Sequence, residues 1–352
     1  MKKTICAAAL FLVSLTCLSF PSLASGWTVE DGGTRWYNKD GNYSCNMWKN
    51  GEDGAPRWLG SDGYEAVSTW VKDGDKYYYV GEDGRKLVNT WAELAPPAEE
   101  KSSGSGPFWY LFGPTGKRLE SRWEERDGKR YYLGENGAME TGWILDNLYY
   151  TGEDGSAVTG WQHLESPEGG EKDYWFNPKG KKYVPEDGEA FALKRIDGSR
   201  YCFDADGALA SGLCRVRKKD GSYVVYYFGE PGEEELHTGL QRITLEDGTE
   251  EEYRFDKNGE GLTEVLNGKL YYNGKLQTAE RAERYRAVTV PSDEGARNYL
   301  VDAAGHIRKG RTVLSRSGVR YETDADGILL TVDGRSAAGM SFDSPDEPDV
   351  RT

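Results

Sequence analysis

Histidine is scarce. The 352 residues hold three, His163, His237 and His306, in separate stretches and without an evident shared partner. There is no nucleophile elbow, no zinc-ligand spacing and no phosphate-cradling glycine loop. Carboxylates are plentiful, but nothing in their placement separates a working pair from solvated surface. The chain therefore reads as non-enzymatic, with no cofactor and no metal. Positive charge is also short: 44 Lys and Arg against 59 Asp and Glu leave a net −15. That balance argues against nucleic acid and anionic headgroups as partners and disfavours attraction to teichoic-acid phosphates. Cationic ligands and neutral glycans remain open.

Long apolar runs are missing except at the start. Lys2 and Lys3 precede the mostly apolar Ile5–Phe20, and Ser22-Leu23-Ala24 makes a small-x-small cleavage site. Residues 1–24 read as a signal peptide, with the mature chain starting near Ser25 and two charges more negative. The run is too short for a stable membrane span, and Ser14 stands where a lipoprotein leader would carry Leu ahead of Cys17. The expectation is an exported, soluble protein with no membrane insertion after cleavage. Of five cysteines, Cys6 and Cys17 leave with the leader. Cys45, Cys202 and Cys214 remain, an odd number that cannot complete a disulfide framework. Cys202 and Cys214 either pair across adjacent hairpins or fill core slots as small apolar residues.

What the chain has is rhythm. Trp123 to Trp161 reads the same phrase twice: a Trp, a turn, a Tyr pair (Tyr131-Tyr132, then Tyr149-Tyr150), a Gly-Glu-x-Gly turn and Thr-Gly-Trp. Aromatic runs favour strands, and Asp-Gly or Asn-Gly supplies the positive φ of tight hairpin turns. A lone hairpin is marginal in water, so each must stack on its neighbour. Trp27, Trp48, Trp70 and Trp91 continue the period upstream, with Trp36, Trp58, Tyr77-Tyr78-Tyr79 and Phe108-Trp109-Tyr110 in the second strands. Inserts at 95–107 and 165–172 lengthen two loops at little entropic cost. None of the eleven Trp follows Trp175; Leu213, Leu240 and Val265 take the Trp place while the tyrosines persist. The Asp-rich turns at Asp204–Gly207 and Asp324–Gly327 lack the later acidic ligand of a calcium loop and read as turn chemistry.

The predicted fold class is all-β, a solenoid-like superhelical stack of short β-hairpin repeats. Residues 25–190 form Trp-rich repeats, 191–335 degenerate Tyr/Leu repeats, and 336–352 an acidic disordered tail.

The phrase Thr-Gly-Trp, turn, aromatic pair, Asp-Gly resembles the choline-binding or cell-wall-binding repeat. Related repeats occur in glucan-binding proteins and clostridial toxins. The resemblance covers nearly the whole mature chain, strongest at Trp70–Trp91 and Trp123–Trp161. It implies sites between consecutive hairpins, where the Trp of Gly-Trp, a Trp just before the Tyr pair and an aromatic from the next hairpin cage a quaternary ammonium. Here the slot before the pair holds Arg130, Leu148 and Val225, and Tyr77 is taken as its one aromatic. Arg130 repels a cation and Leu148 offers no ring face. The best cage then draws on Trp70, Tyr77, Trp91 and Tyr110, and Trp48, Trp123, Tyr131, Trp143, Tyr149 and Trp161 complete the candidate ligand-binding set.

The resemblance implies a non-catalytic surface protein of a Gram-positive bacterium, secreted and cell-wall associated, with cell-wall polymer or glycan as partner. The alternative is a spacer or adhesin-like scaffold whose rings are wholly inter-hairpin core.

Overall fold

The computed structural model describes residues 25–350 apart from 101–105, 187, 246 and 293–294. The leader expected at 1–24 lies outside the described residues. Every strand among them is antiparallel to its neighbour, and they form twelve small sheets, nine of them two-stranded. No described helix is long and apolar enough to cross a membrane. The fold is an all-β stack of hairpins, arranged in two compact units divided between Val158 and Thr159.

In the first unit each hairpin is named here by its leading Trp. The Trp48 hairpin pairs Met47–Asn50 with Pro56–Leu59, the Trp70 hairpin Thr69–Asp73 with Lys76–Val80, and the Trp91 hairpin Thr90–Leu94 with Phe108–Phe112. The Trp123 hairpin pairs Arg122–Arg126 with Lys129–Leu133, and the Trp143 hairpin Gly142–Ile144 with Tyr149–Thr151. Side chains alternate across each ribbon, so Trp70 shares a face with its cross-strand partner Tyr79 and with Tyr77 two residues earlier.

Stacking uses backbone as well as rings. After each second strand a four-residue turn closes on itself, as Gly84 N–H does on Gly81 O at 3.0 Å. The second residue beyond that turn donates its N–H to the preceding hairpin: Lys86 to Pro56 O at 3.1 Å, Arg118 to Tyr77 O, Met139 to Trp109 O and Ala157 to Arg130 O, each at 2.8 Å. The residue after it donates back to its own hairpin, as Leu87 does to Tyr79 O at 2.9 Å. Consecutive N–H groups of this short link thus tie each hairpin to its neighbour and to itself, leaving little slack in the register between them.

The second unit opens with the Trp161 hairpin, Gly160–Glu165 with Glu171–Phe176. Its sheets then become less uniform, with three-, five- and four-stranded examples. The aromatic seam gives way to aliphatic clusters, such as Leu270, Val288, Val290, Val301 and Ile307. Leu213 is buried, but Leu240 is 47% exposed, so the residues in the Trp place do not all pack alike. Within this unit Trp161 meets Tyr201 and Phe203 of the next hairpin. Cys202 and Cys214 are free thiols buried in one core cluster, and burial raises the Cys202 thiol far above its ordinary range. They fill core slots, the second of the two readings open to the sequence.

The acidic stretch expected as a disordered tail makes defined contacts. Asp343 bridges Val288, Arg286 binds Asp343 and Asp346 at 3.2 and 2.6 Å, and Val350 packs against the Tyr253 cluster. Its carboxylates find a buried-side arginine, and that pairing is what composition alone hides.

Candidate functional site

The aromatic seam of the first unit resolves into ring sets, each built from one hairpin and the second strand of the next. Trp48 meets its cross-strand Trp58 at 5.2 Å and Tyr78 of the next hairpin at 5.3 Å. Trp70 meets Tyr79 at 5.5 Å, Tyr77 at 6.4 Å and, one hairpin on, Tyr110 at 4.9 Å. Trp91 meets Tyr131 of the next hairpin at 5.3 Å. Trp123 meets Tyr132 at 5.2 Å and Tyr149 of the next hairpin at 4.9 Å. Trp143 packs on Tyr150 at 5.2 Å. In the second unit Trp161 meets Tyr201 at 4.8 Å and stacks on Phe203 at 5.8 Å. Most of these contacts are edge-on, with the two at Trp123 tilted and Trp161 stacked on Phe203, and together they hold the stack.

The expected cage of Trp70, Tyr77, Trp91 and Tyr110 is therefore not one site. Trp70, Tyr77 and Tyr110 come together, whereas Trp91 belongs one hairpin further along with Tyr131. The reason is the repeat itself: each Trp reaches forward to the next hairpin's second strand, and its own hairpin contributes the other rings.

The Trp70 set already contains a cation. Arg118, 2% exposed in its side chain, places its Cζ 4.4 Å from the Tyr77 ring, 5.7 Å from Trp70 and 5.9 Å from Tyr110. Its Nη1 and Nη2 donate to Glu100 at 2.7 and 2.8 Å, and Nη2 also donates to Glu120 at 3.1 Å. Burial works against the charge, but the two carboxylates outweigh it and hold the guanidinium above its ordinary pKa. The Trp48 set holds Lys86, with Nζ 4.6 Å over Trp48 and 5.1 Å over Tyr78; burial lowers this ammonium's pKa. Over Trp123 stands Arg130, Cζ at 4.6 Å.

The Trp91 set differs. Its register places Trp109 opposite Glu93, as Tyr77 is opposite Lys72 and Arg130 opposite Glu125. Trp109 is thus the aromatic of the slot before the pair, on the same face as Trp91 and 44% exposed. The sequence reading missed it because Leu111 replaces the second Tyr and the 95–107 insert hides the spacing. Counting back from the Gly113–Gly116 turn would have found it. The link position that carries Lys86 and Arg118 elsewhere carries Met139 here. Among the described residues no Lys or Arg stands over the Trp91, Trp109 or Tyr131 ring.

Outside the seam, His163 does have partners. Its Nδ1 lies 2.9 Å from Asp173 Oδ1 and its Nε2 3.3 Å from Glu171, all on exposed hairpin surface. The two carboxylates raise its pKa, Asp173 most. The Asp204 turn is of the Asx kind, Oδ1 accepting the N–H groups of Asp206 and Ala208.

Two segments, 68–86 and 121–139, match the choline-binding family model of the cell wall binding repeat; they span the Trp70 hairpin and the Trp123 hairpin with their following turns. No protein of curated function matches the chain in sequence. Among solved structures, the modular autolysin LytC of Streptococcus pneumoniae, in complex with a synthetic peptidoglycan ligand, is 17% identical over 75% of this chain and 55% of its own, TM-score 0.47. The chain thus spans about half the length of that autolysin. Choline binding protein F of the same organism, solved in the presence of a tetrasaccharide-pentapeptide peptidoglycan analogue, is 19% identical over 88% of this chain and 100% of its own, TM-score 0.47. The choline-binding domain of pneumococcal CbpL is 19% identical over 69% of this chain and 100% of its own, TM-score 0.39.

Proposed function

Since the chain carries cell wall binding repeats of the choline-binding family, we propose that it is an exported, non-catalytic protein of a Gram-positive surface that holds cell-wall polymer through an ammonium-binding ring site. The observation behind this reading is the Trp91 set: Trp91 meets Tyr131 of the next hairpin, Trp109 and Glu93 lie on the same face of the hairpin as Trp91, and the link position holds neutral Met139. A quaternary ammonium suits it physically. It is weakly hydrated, is drawn to ring faces, and gains further from a carboxylate at the lip.

The remaining rings of the candidate set, from Trp48 to Trp161, serve this proposal as stack seam. Three rings at about 0.5–2 kcal/mol each imply an affinity on the order of millimolar at one site. Attachment of that strength is reversible, and it suits a wall that presents many ligand groups. The scaffold reading draws its support from the sets already filled by Lys86 and Arg118.

Titration of intrinsic Trp fluorescence with choline, beside soluble glucans and cell-wall fragments, tests the site. Choline should saturate in the range of about 1–10 mM, and Trp109→Ala should weaken binding about tenfold or more, while Trp48→Ala should not. Glycan saturation without a choline response would move the ligand to the sugar class. Silence toward every ligand would leave the scaffold.

A further inference from the structure

We infer that Lys86 and Arg118 are built-in occupants of two ring sites, and that the residue at this link position, more than the rings, decides whether the Trp48, Trp70 and Trp91 sets admit an external quaternary ammonium. This rests on reading the Trp91 set as the open one.

Lys86, Arg118 and Met139 are structurally equivalent. Each bridges the end of its own second strand, at Val80, Phe112 and Leu133, and each donates its N–H to the preceding hairpin. Their side chains therefore start from the same place relative to the rings, and the sets differ by what the side chain carries. In the Trp70 set the guanidinium faces three rings and is pinned by Glu100 and Glu120. An incoming ammonium would have to displace a cation that already has its carboxylates, and could not share the rings with it, since like charges at about 4 Å repel. Lys72 adds a second positive charge, its Nζ 5.0 Å over Tyr77. In the Trp91 set both positive charges are gone: Met139 replaces the guanidinium, and Glu93 stands where Lys72 does. Methionine is neutral and polarisable, a good neighbour for a methylated ammonium.

The role of Arg118 also explains a loop. Glu100 lies in the 95–107 insert of the Trp91 hairpin, and its bidentate pairing is the geometry that favours Arg over Lys. Glu100 reaches back to hold the occupant of the preceding set.

The test reads each Trp by its own indole N–H signal in a ¹⁵N-labelled protein titrated with tetramethylammonium. In the wild type Trp70 and Trp48 should stay silent. In Arg118→Met the Trp70 signal should shift saturably, with apparent affinity about tenfold or more above wild type, and in Lys86→Met the Trp48 signal should do the same. Met139→Arg should silence Trp91. Lys86→Met removes a half-buried ammonium in favour of the residue the Trp91 set uses, so it decides the matter if Arg118→Met does not fold. A folded Lys86→Met protein with Trp48 still silent overturns the inference, as does a wild type whose Trp48 and Trp70 already respond. Trp91 and Trp109 silent in every protein while Trp48 or Trp70 gains a response would leave the inference standing and remove the Trp91 site.

Discussion

Asp154 shows how one side chain ties a turn to a neighbouring hairpin. Its Oδ1 accepts the N–H and hydroxyl of Ser156 at 2.9 and 2.7 Å, and its Oδ2 takes Lys129 Nζ at 2.8 Å. The Lys129 bond and then the Ser156 bonds hold its pKa at about 2, against 3.8 for the free group. A carboxylate with a lowered folded-state pKa stabilises above its unfolded value, and that stabilisation disappears as pH falls through the folded one. Asp154→Asn should therefore lower the urea midpoint at pH 6, and the gap to wild type should close between about pH 4 and 2. Because the pair is more than half exposed, the gap should stay below about 1 kcal/mol. A gap unchanged at pH 2 would mean that the charge is not what Asp154 contributes. The rings and turns around it are legible in the sequence, since the period alone assigns them. The occupants are not. Arg118 reaches the rings of Trp70 and Tyr77 only because its link bonds back to Tyr77 O, a relation between hairpins that no local pattern displays.

At the scale of an element, the hairpins form because aromatic strands alternate around turns that need positive φ, and most of those turns stand in the sequence as Asp-Gly or Asn-Gly. Two glycines of one hairpin separate the turn's demand from the stack's. Gly198, φ +94, closes the turn between Phe191–Ile196 and Ser199–Asp204, and a Cβ there would meet open space. Gly207, φ +79, lies after the second strand, and a Cβ there would run into the carbonyl oxygen of Tyr183 in the preceding segment. Gly198→Ala should cost about 1–2 kcal/mol for the left-handed backbone, and Gly207→Ala at least about 1 kcal/mol more because backbone cannot yield to it. Equal losses in urea unfolding would show that the approach of turn to neighbour carries no weight. The second unit's wider sheets stay hidden from the sequence because short strands such as Lys275–Leu276, joining Tyr253 and Tyr271–Tyr272 in one five-stranded sheet, fall below any periodic signal.

For the molecule as a whole, the change from tryptophan to aliphatic residues is a change in what reports on folding. Nine of the eleven Trp precede Thr159, the start of the second unit, and only Trp161 and Trp175 follow. In a stack each hairpin contacts mainly its neighbours, so stability is close to a sum of local terms and a defect spreads only as far as the coupling between hairpins allows. Tyr253 is fully buried, clustered with Leu213, Val225, Tyr227, Ile243 and Phe255. Tyr253→Ala should cost about 3–5 kcal/mol locally, as large aromatic deletions in cores do. Its effect should appear as an early transition in far-UV circular dichroism, while Trp fluorescence keeps the wild-type midpoint and the Trp91 site keeps its ligand response at denaturant concentrations that have already melted the Tyr253 cluster. Coincident shifts of both signals would instead show that the chain unfolds as one cooperative body. Ring sites near its start would then depend on the distant Tyr253 cluster, which contributes no ring to them.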